Sequence, residues 1–135
     1  DKLEEQKVAV VIDVPADLPH LHCDQELMRN CLFNFITNGA QSMPDGGELT
    51  VSASFVDEVF RFSFSDKGTG IAADDMEKIF QPYFTTKEAG IGLGLAITER
   101  IIKEHGGEIL VESLPGNGTT FTVIMPKACV ADVRR

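Results

Sequence analysis

Asp66 closes a run in which Phe60, Phe62 and Phe64 alternate with Val59, Arg61, Ser63 and Ser65. Such alternation turns one face of a strand toward a core, and Asp66 shares the parity of the phenylalanines. A carboxylate held on that side loses hydration and needs hydrogen-bond donors to compensate. The exocyclic amine of a purine is one such donor. The backbone of the following turn is another, because Asp ahead of Gly68 commonly caps a bend. Both readings stand on the residues alone.

A second chemical feature is the run Gly90-Ile91-Gly92-Leu93-Gly94-Leu95, after which the pattern becomes helical. Leu93, Ile97 and Ile101 fall on one stripe, with Thr98, Arg100 and Lys103 elsewhere. Gly106-Gly107 is expected to stop that helix, with His105 in its last turn complementing the dipole. A helix start offers unpaired N–H groups to an anion, and glycine lets a phosphate approach the backbone. The spacing is neither G-x-G-x-x-G nor G-x-x-x-x-G-K-[ST], so dinucleotide-fold and P-loop readings are excluded. By itself a glycine repeat is a loop; beside Asp66 it describes the phosphate half of a nucleotide pocket.

The third feature is Asn30, Asn34 and Asn38, spaced at i, i+4 and i+8. Asp24 can cap the helix that carries them, with Glu26 in its first turn. Leu27, Met28, Cys31, Leu32, Phe35, Ile36 and Ala40 supply its apolar face. Asn is a mediocre helix former, so three amides along one side ask for a reason. Carboxamide oxygens are hard ligands that suit Mg2+ when phosphate oxygens complete its shell. For Asn30 a solvated polar face is the plainer account.

The combination Asn34-Phe-Ile-Thr-Asn38-Gly-Ala, Asp66-x-Gly68-x-Gly70-Ile71, Phe80-Gln-Pro-Tyr-Phe84-Thr-Thr-Lys87 and Gly90-Ile-Gly-Leu-Gly94-Leu resembles the ATP-binding catalytic domain of sensor histidine kinases. In that family's terms these are the N, G1, F and G2 boxes, in the family's order. His105-Gly106-Gly107 and Gly118-Thr119-Thr120-Phe121 extend the likeness, which spans roughly residues 5 to 126. The Phe-Thr-Thr-Lys form is similar to the nitrogen-regulation and oxygen-sensing subgroup.

The resemblance implies ATP and Mg2+ as cofactors and a role for each matching residue. Asp66 accepts from the adenine amine, while Gly68, Gly70 and Ile71 form the turn around the base. Asn38 ligands Mg2+ bridging the phosphates, with Asn34 on the metal or phosphate side. Gly90, Gly92, Leu93, Gly94 and Leu95 line the phosphates with backbone, and Thr120 borders the adenine pocket. Residues 69 to 91 form a mobile lid gripped by Phe80 and Phe84, and Lys87 approaches the terminal phosphate. Asn34, Asn38 and Lys87 are thus the expected catalytic set.

Ile91 stands where a Thr is common, which removes a hydroxyl contact. Gln41 stands where a charged residue is frequent. The wider superfamily includes gyrase-like, mismatch-repair and chaperone ATPases. They place a Glu four residues before the metal-binding Asn, as general base for water. Here that position is Asn34, and a carboxamide cannot take a proton near neutral pH. The pattern therefore favours phosphoryl transfer over hydrolysis.

Transfer needs an acceptor, and the chain has only His20, His22 and His105. None lies in a helical His-Glu-x-x-Asn-Pro-like run. His22-Cys23 is a thin metal signal and reads better as a surface loop. The resemblance thus implies three partners: ATP/ADP, a histidine-bearing dimerisation module on another segment of the parent, and a downstream response-regulator receiver. A nucleotide-binding interaction module without transfer is the alternative, as is a related serine/threonine kinase.

A chain of 135 residues, 43% hydrophobic, can close one sizeable core. Residues 1–6 read as the end of a linker, 7–126 as the catalytic domain and 127–135 as a tail after Pro126. The net charge of −9 excludes a basic stripe for nucleic acid, so positive potential at the site must be local. Three irregularly spaced cysteines fit a reducing, cytoplasmic setting. No apolar run is long enough to cross a bilayer, so the domain is expected to make no membrane contact; the parent may be soluble or membrane-anchored.

Strands are expected near 7–14, 48–55, 58–65, 108–113 and 119–125, and helices near 24–42, 74–80 and 93–105. Asp45-Gly46-Gly47 and Val56-Asp57 mark turns. These elements suggest an α/β (α+β) two-layer sandwich: a mixed, mostly antiparallel sheet covered on one face by about three helices. The resemblance implies the Bergerat-type ATP-binding fold.

Overall fold

The computed structural model describes residues 8–16, 18, 25–43, 45–81 and 94–126. Five strands, β1 (Val8–Asp13), β2 (Gly47–Val56), β3 (Val59–Asp66), β4 (Glu108–Ser113) and β5 (Thr119–Pro126), form one sheet in the order β1-β2-β3-β5-β4. β1 runs parallel to β2, and every other pairing is antiparallel. The helices α1 (Gln25–Gln41) and α2 (Gly94–Glu104) are the crossover connections β1-to-β2 and β3-to-β4. The mixed two-layer sandwich therefore has the expected strands.

A third helix over 74–80 does not form. Ala73–Asp75 makes one 3-10 turn, followed by further turns bonded Lys78 N to Asp75 O and Gln81 N to Lys78 O. The segment spends its apolar residues on tertiary packing instead: Ile79 is buried, and Ile71 and Phe80 pack against the core. Phe80 meets Phe121 edge-on at 6.4 Å. The first part of the expected lid is thus anchored, while residues 82–93 lie outside the described residues.

Alternation fixes which strand face is dry. Leu49 and Ala53 of β2, Phe60 and Phe64 of β3, and Phe121, Val123 and Met125 of β5 are buried against the helices. Met28, Cys31 and Phe35 of α1 and Ile101 and Ile102 of α2 meet them. Phe35 stacks on Phe64 at 4.6 Å with 15° between the rings, and lies 5.4 Å from Phe121. Stacked and tilted rings of this kind add to what burial alone contributes. Leu32, grouped with the buried face by spacing, is exposed, as is its neighbour Phe33. The opposite face of the sheet carries Thr50, Ser52, Ser54, Ser63, Ser65, Thr120 and Thr122, all half-buried.

The buried stripe of α2 is rotated from expectation: Thr98, Ile101 and Ile102 are buried, while Ile97 is exposed. Gly106, at φ 81°, ends the helix where a side chain would be strained. Gly107 N–H donates to Ile102 O and Gly106 N–H to Lys103 O, the paired bonds of a Schellman stop. His105, expected at the helix end, meets a carbonyl of the last turn from a buried position. It is 2% exposed, with Nδ1 2.8 Å from Ile101 O and Nε2 buried without a partner among the described residues.

Candidate functional site

Asp66 occupies the core-side end of β3, as its parity requires, and is 5% exposed. Its Oδ1 accepts from Gly68 N at 2.9 Å and from Thr119 N at 3.3 Å. The local cap, one of the two readings left open by the sequence, is therefore real. It uses one oxygen only; no hydrogen bond engages Oδ2 among the described residues. No basic side chain pairs with the carboxylate there either. A buried anion in this condition is stabilised by any further donor that reaches its second oxygen.

The glycines after Asp66 hold the bend by close approach. A Cβ on Gly68 would clash with Ser42 O, which accepts from Thr69 N at 3.2 Å. Gly70 has φ 76°, and a Cβ there would strike Leu114 O. Ile71 N–H then donates to Ser113 Oγ at 2.8 Å. Ser113 Oγ in turn lies 3.0 Å from Gly118 O and 2.8 Å from Thr119 Oγ1. Strand β3, the end of α1 and the β4–β5 turn are thereby tied to one point. Gly39 of α1 completes the packing, its missing Cβ site lying 3.7 Å from Asp66 Cβ.

Thr120, expected beside the adenine, lies on the opposite face of the sheet from Asp66. Thr119 is the residue registered against Asp66, so Thr120 points to the helix-free face. There its Oγ1 lies 2.9 Å from Ser65 Oγ. Period two along the strand makes the exchange unavoidable: Thr119 shares the parity of Phe121, and Thr120 does not. Thr119, on the same side as Asp66, is 6% exposed.

Asn34 and Asn38 sit one turn apart on α1, both partly buried, while Asn30 is exposed in keeping with a solvated role. Asn34 Nδ2 donates to Thr98 Oγ1 at 3.0 Å and to Gly94 O at 3.4 Å. The amide thus binds α1 to the first turn of α2. Gly94 opens that helix and is exposed; Leu95 follows, its side chain packed against the core. The first N–H groups of α2 lack intrahelical acceptors, as at any helix start, and form an anion-compatible edge beside Asn34. The expected cap Asp24 and the site residues Phe84, Lys87, Gly90, Gly92 and Leu93 lie outside the described residues.

Among the described residues there is no group of three His, Cys, Asp or Glu that could hold a metal ion. The available donors are carboxamide oxygens. They fit Mg2+ that shares phosphate oxygens, and do not fit a transition metal held by protein alone. Sequence reasoning named Asp66 and Gly68, which bond to each other, and Asn34 and Gly94, which do the same across the two helices. It missed Thr98, Ser113 and Thr119, of which only Thr119 carried a signal, its strand parity.

A family model described as histidine kinase-, DNA gyrase B- and HSP90-like ATPase matches residues 23–128. Sensor histidine kinase ZraS of Escherichia coli O157:H7 is 43% identical over 109 residues, 81% of this chain and 24% of its own length. Sporulation kinase E of Bacillus subtilis (strain 168) is 36% identical over 129 residues, 95% of this chain and 18% of that protein. The chain thus spans under a quarter of the length of these relatives. Among solved structures, full-length ShkA in complex with AMPPNP matches at TM-score 0.84 and 32% identity, covering 97% of this chain and 28% of that one. The nucleotide-free catalytic domain of histidine kinase ThkA matches at TM-score 0.82 and 28% identity, covering 94% of this chain and 84% of that one.

Proposed function

As a member of the histidine kinase-, DNA gyrase B- and HSP90-like ATPase family, this chain is, we propose, the ATP-binding catalytic domain of a two-component sensor histidine kinase. It binds Mg2+–ATP and passes the γ-phosphoryl group to a histidine on a separate helical dimerisation module of the parent. A response-regulator receiver then takes the phosphoryl group. The domain works in the cytoplasm, where ATP is available, and none of its described helices is long and apolar enough to cross a membrane.

One observation carries the nucleotide reading: a buried Asp66 whose Oδ1 is satisfied by backbone and whose Oδ2 has no donor among the described residues. The 6-amino group of adenine supplies that donor. Phosphates would then meet the first turn of α2, and Asn34 and Asn38 would hold Mg2+ through their carboxamide oxygens. Mg2+, when bound, neutralises charge on the phosphate oxygens.

In the transfer step the bond from the γ-phosphorus to the β,γ-bridging oxygen breaks, and ADP leaves with that oxygen. A P–N bond forms to the acceptor imidazole, whose N–H proton passes to a carboxylate base on the acceptor module. The domain's contribution is orientation and electrostatics, which dominate phosphoryl transfer. Asn34 supports transfer over hydrolysis in two ways. A carboxamide cannot deprotonate water near neutral pH. Its Nδ2 also donates to Gly94 O, an acceptor against which a glutamate would be repelled.

The test uses γ-labelled ATP with this chain alone and with the parent's helical module, purified separately. Label is expected on the module's histidine and not on this chain. Acid-labile labelling of the isolated chain overturns the separate-acceptor reading; tight Mg2+–ATP binding without transfer marks a nucleotide-binding module instead.

A further inference from the structure

Thr98 is 0% exposed, within the stripe that buries Ile101 and Ile102. Valine has nearly the same shape and would fill that space without bringing a hydroxyl into the core. A buried hydroxyl is costly unless it is paired. Its partner here is Asn34, sixty-four positions earlier, whose Nδ2 donates to Thr98 Oγ1 at 3.0 Å and to Gly94 O at 3.4 Å. A carbonyl can only accept, so the amide orientation is determined: the amino group faces α2. Both amide protons are then directed at α2, and Oδ1 is the atom left without a hydrogen bond among the described residues. A carboxamide binds a cation only through oxygen; turned by 180° it would aim N–H groups at the metal.

We propose that Thr98 is a positioning residue for the magnesium–nucleotide site, holding the Asn34 amide so that its oxygen faces the metal. This rests on reading Asn34 and Asn38 as oxygen donors beside that metal. Groups that orient a metal ligand without touching the metal commonly change its affinity by about 10–100-fold when lost. Thr98 also makes the metal site depend on how α2 sits against α1, because one hydroxyl on α2 sets the direction of a ligand on α1.

ADP binding is measured by calorimetry in Mg2+ and in EDTA for the whole chain and for Thr98→Val, Thr98→Ser, Asn34→Ala and the Asn34→Ala/Thr98→Val pair. Thr98→Val is expected to lower affinity about tenfold in Mg2+ while leaving the EDTA value unchanged. Thr98→Ser restores the Mg2+ increment, and in the Asn34→Ala background Thr98→Val has no further effect. Equal losses in Mg2+ and EDTA, failure of Thr98→Ser to rescue, or a full loss in the Asn34→Ala background each overturn the proposal. If Thr98→Val does not melt cooperatively, Thr98→Cys, a small and poor acceptor, is read against the same criteria. Failure of the unsubstituted chain to bind ADP at all strikes the proposed function itself, so the two failures are distinguishable.

Discussion

Thr119 faces Asp66 across β3 and β5, and its backbone N–H donates to Asp66 Oδ1 at 3.3 Å. Gly68 N–H reaches the same oxygen from within the turn at 2.9 Å. Two donors on one oxygen set the rotation of the carboxylate and leave the second oxygen without a hydrogen bond among the described residues.

Asp66→Asn is expected to weaken ADP binding by about 1–3 kcal/mol. The amide must keep its oxygen toward Gly68 and Thr119, which turns its amino group toward the purine amine and replaces an acceptor with a donor. Calorimetry on the folded variant gives the answer; unchanged affinity counts against base recognition by Asp66.

Asn38→Ala should abolish the Mg2+ dependence of nucleotide binding, because it removes an oxygen ligand without adding charge. Titrations in Mg2+ and in EDTA should converge for this variant. A retained gap between them would move the metal away from α1.

The two threonines of β5 give opposite expectations. Thr119→Val keeps the backbone donor to Asp66 but removes the hydroxyl bonded to Ser113, and should weaken ADP binding by about 1 kcal/mol. Thr120→Val acts on the helix-free face and should change it by less than about 0.5 kcal/mol. Reversed effects in a side-by-side titration would assign the pocket to the wrong face.

Phe35→Ala should lower unfolding free energy by about 3–5 kcal/mol, since it empties the space between Phe64 and Phe121. Urea denaturation measures this directly. A loss under about 1 kcal/mol would mean that the ring is not packed as described.

The β2–β3 hairpin turns through Asp57 and Glu58, both left-handed, at φ 57° and 65°. Asp tolerates that conformation better than Glu. Glu58→Gly should therefore stabilise the domain by about 0.5–1 kcal/mol, the relief of strain exceeding the added chain entropy. A lower midpoint in the same urea experiment would rule this out.

The sheet was legible in the sequence because strand alternation is a short-range signal that burial enforces. Phe60, Phe62 and Phe64 placed Asp66 on the core side, where it lies. The same rule applied to Phe121, Val123 and Met125 would have selected Thr119 over Thr120. Helix faces were less legible, because one residue of rotation still leaves an apolar stripe. Leu93, Ile97 and Ile101 made a plausible stripe on α2, yet Thr98 and Ile102 are buried and Ile97 is exposed. Thr98 could not be identified locally, since its reason for being buried is Asn34 on another helix. Residues 74–80 failed as a helix for a related reason: Ile79 and Phe80 are held by the core rather than by helical periodicity.

Ser52, Ser54, Ser63, Ser65, Thr120 and Thr122 tile the side of the sheet that no helix covers. Short hydroxyls there give a neighbouring surface little to gain by expelling water. That hydroxyl patch offers a neighbour little grip, whereas Val11, Val56 and Leu110 at the margins of the same face are exposed and apolar, so any adhesion there would start from the rim.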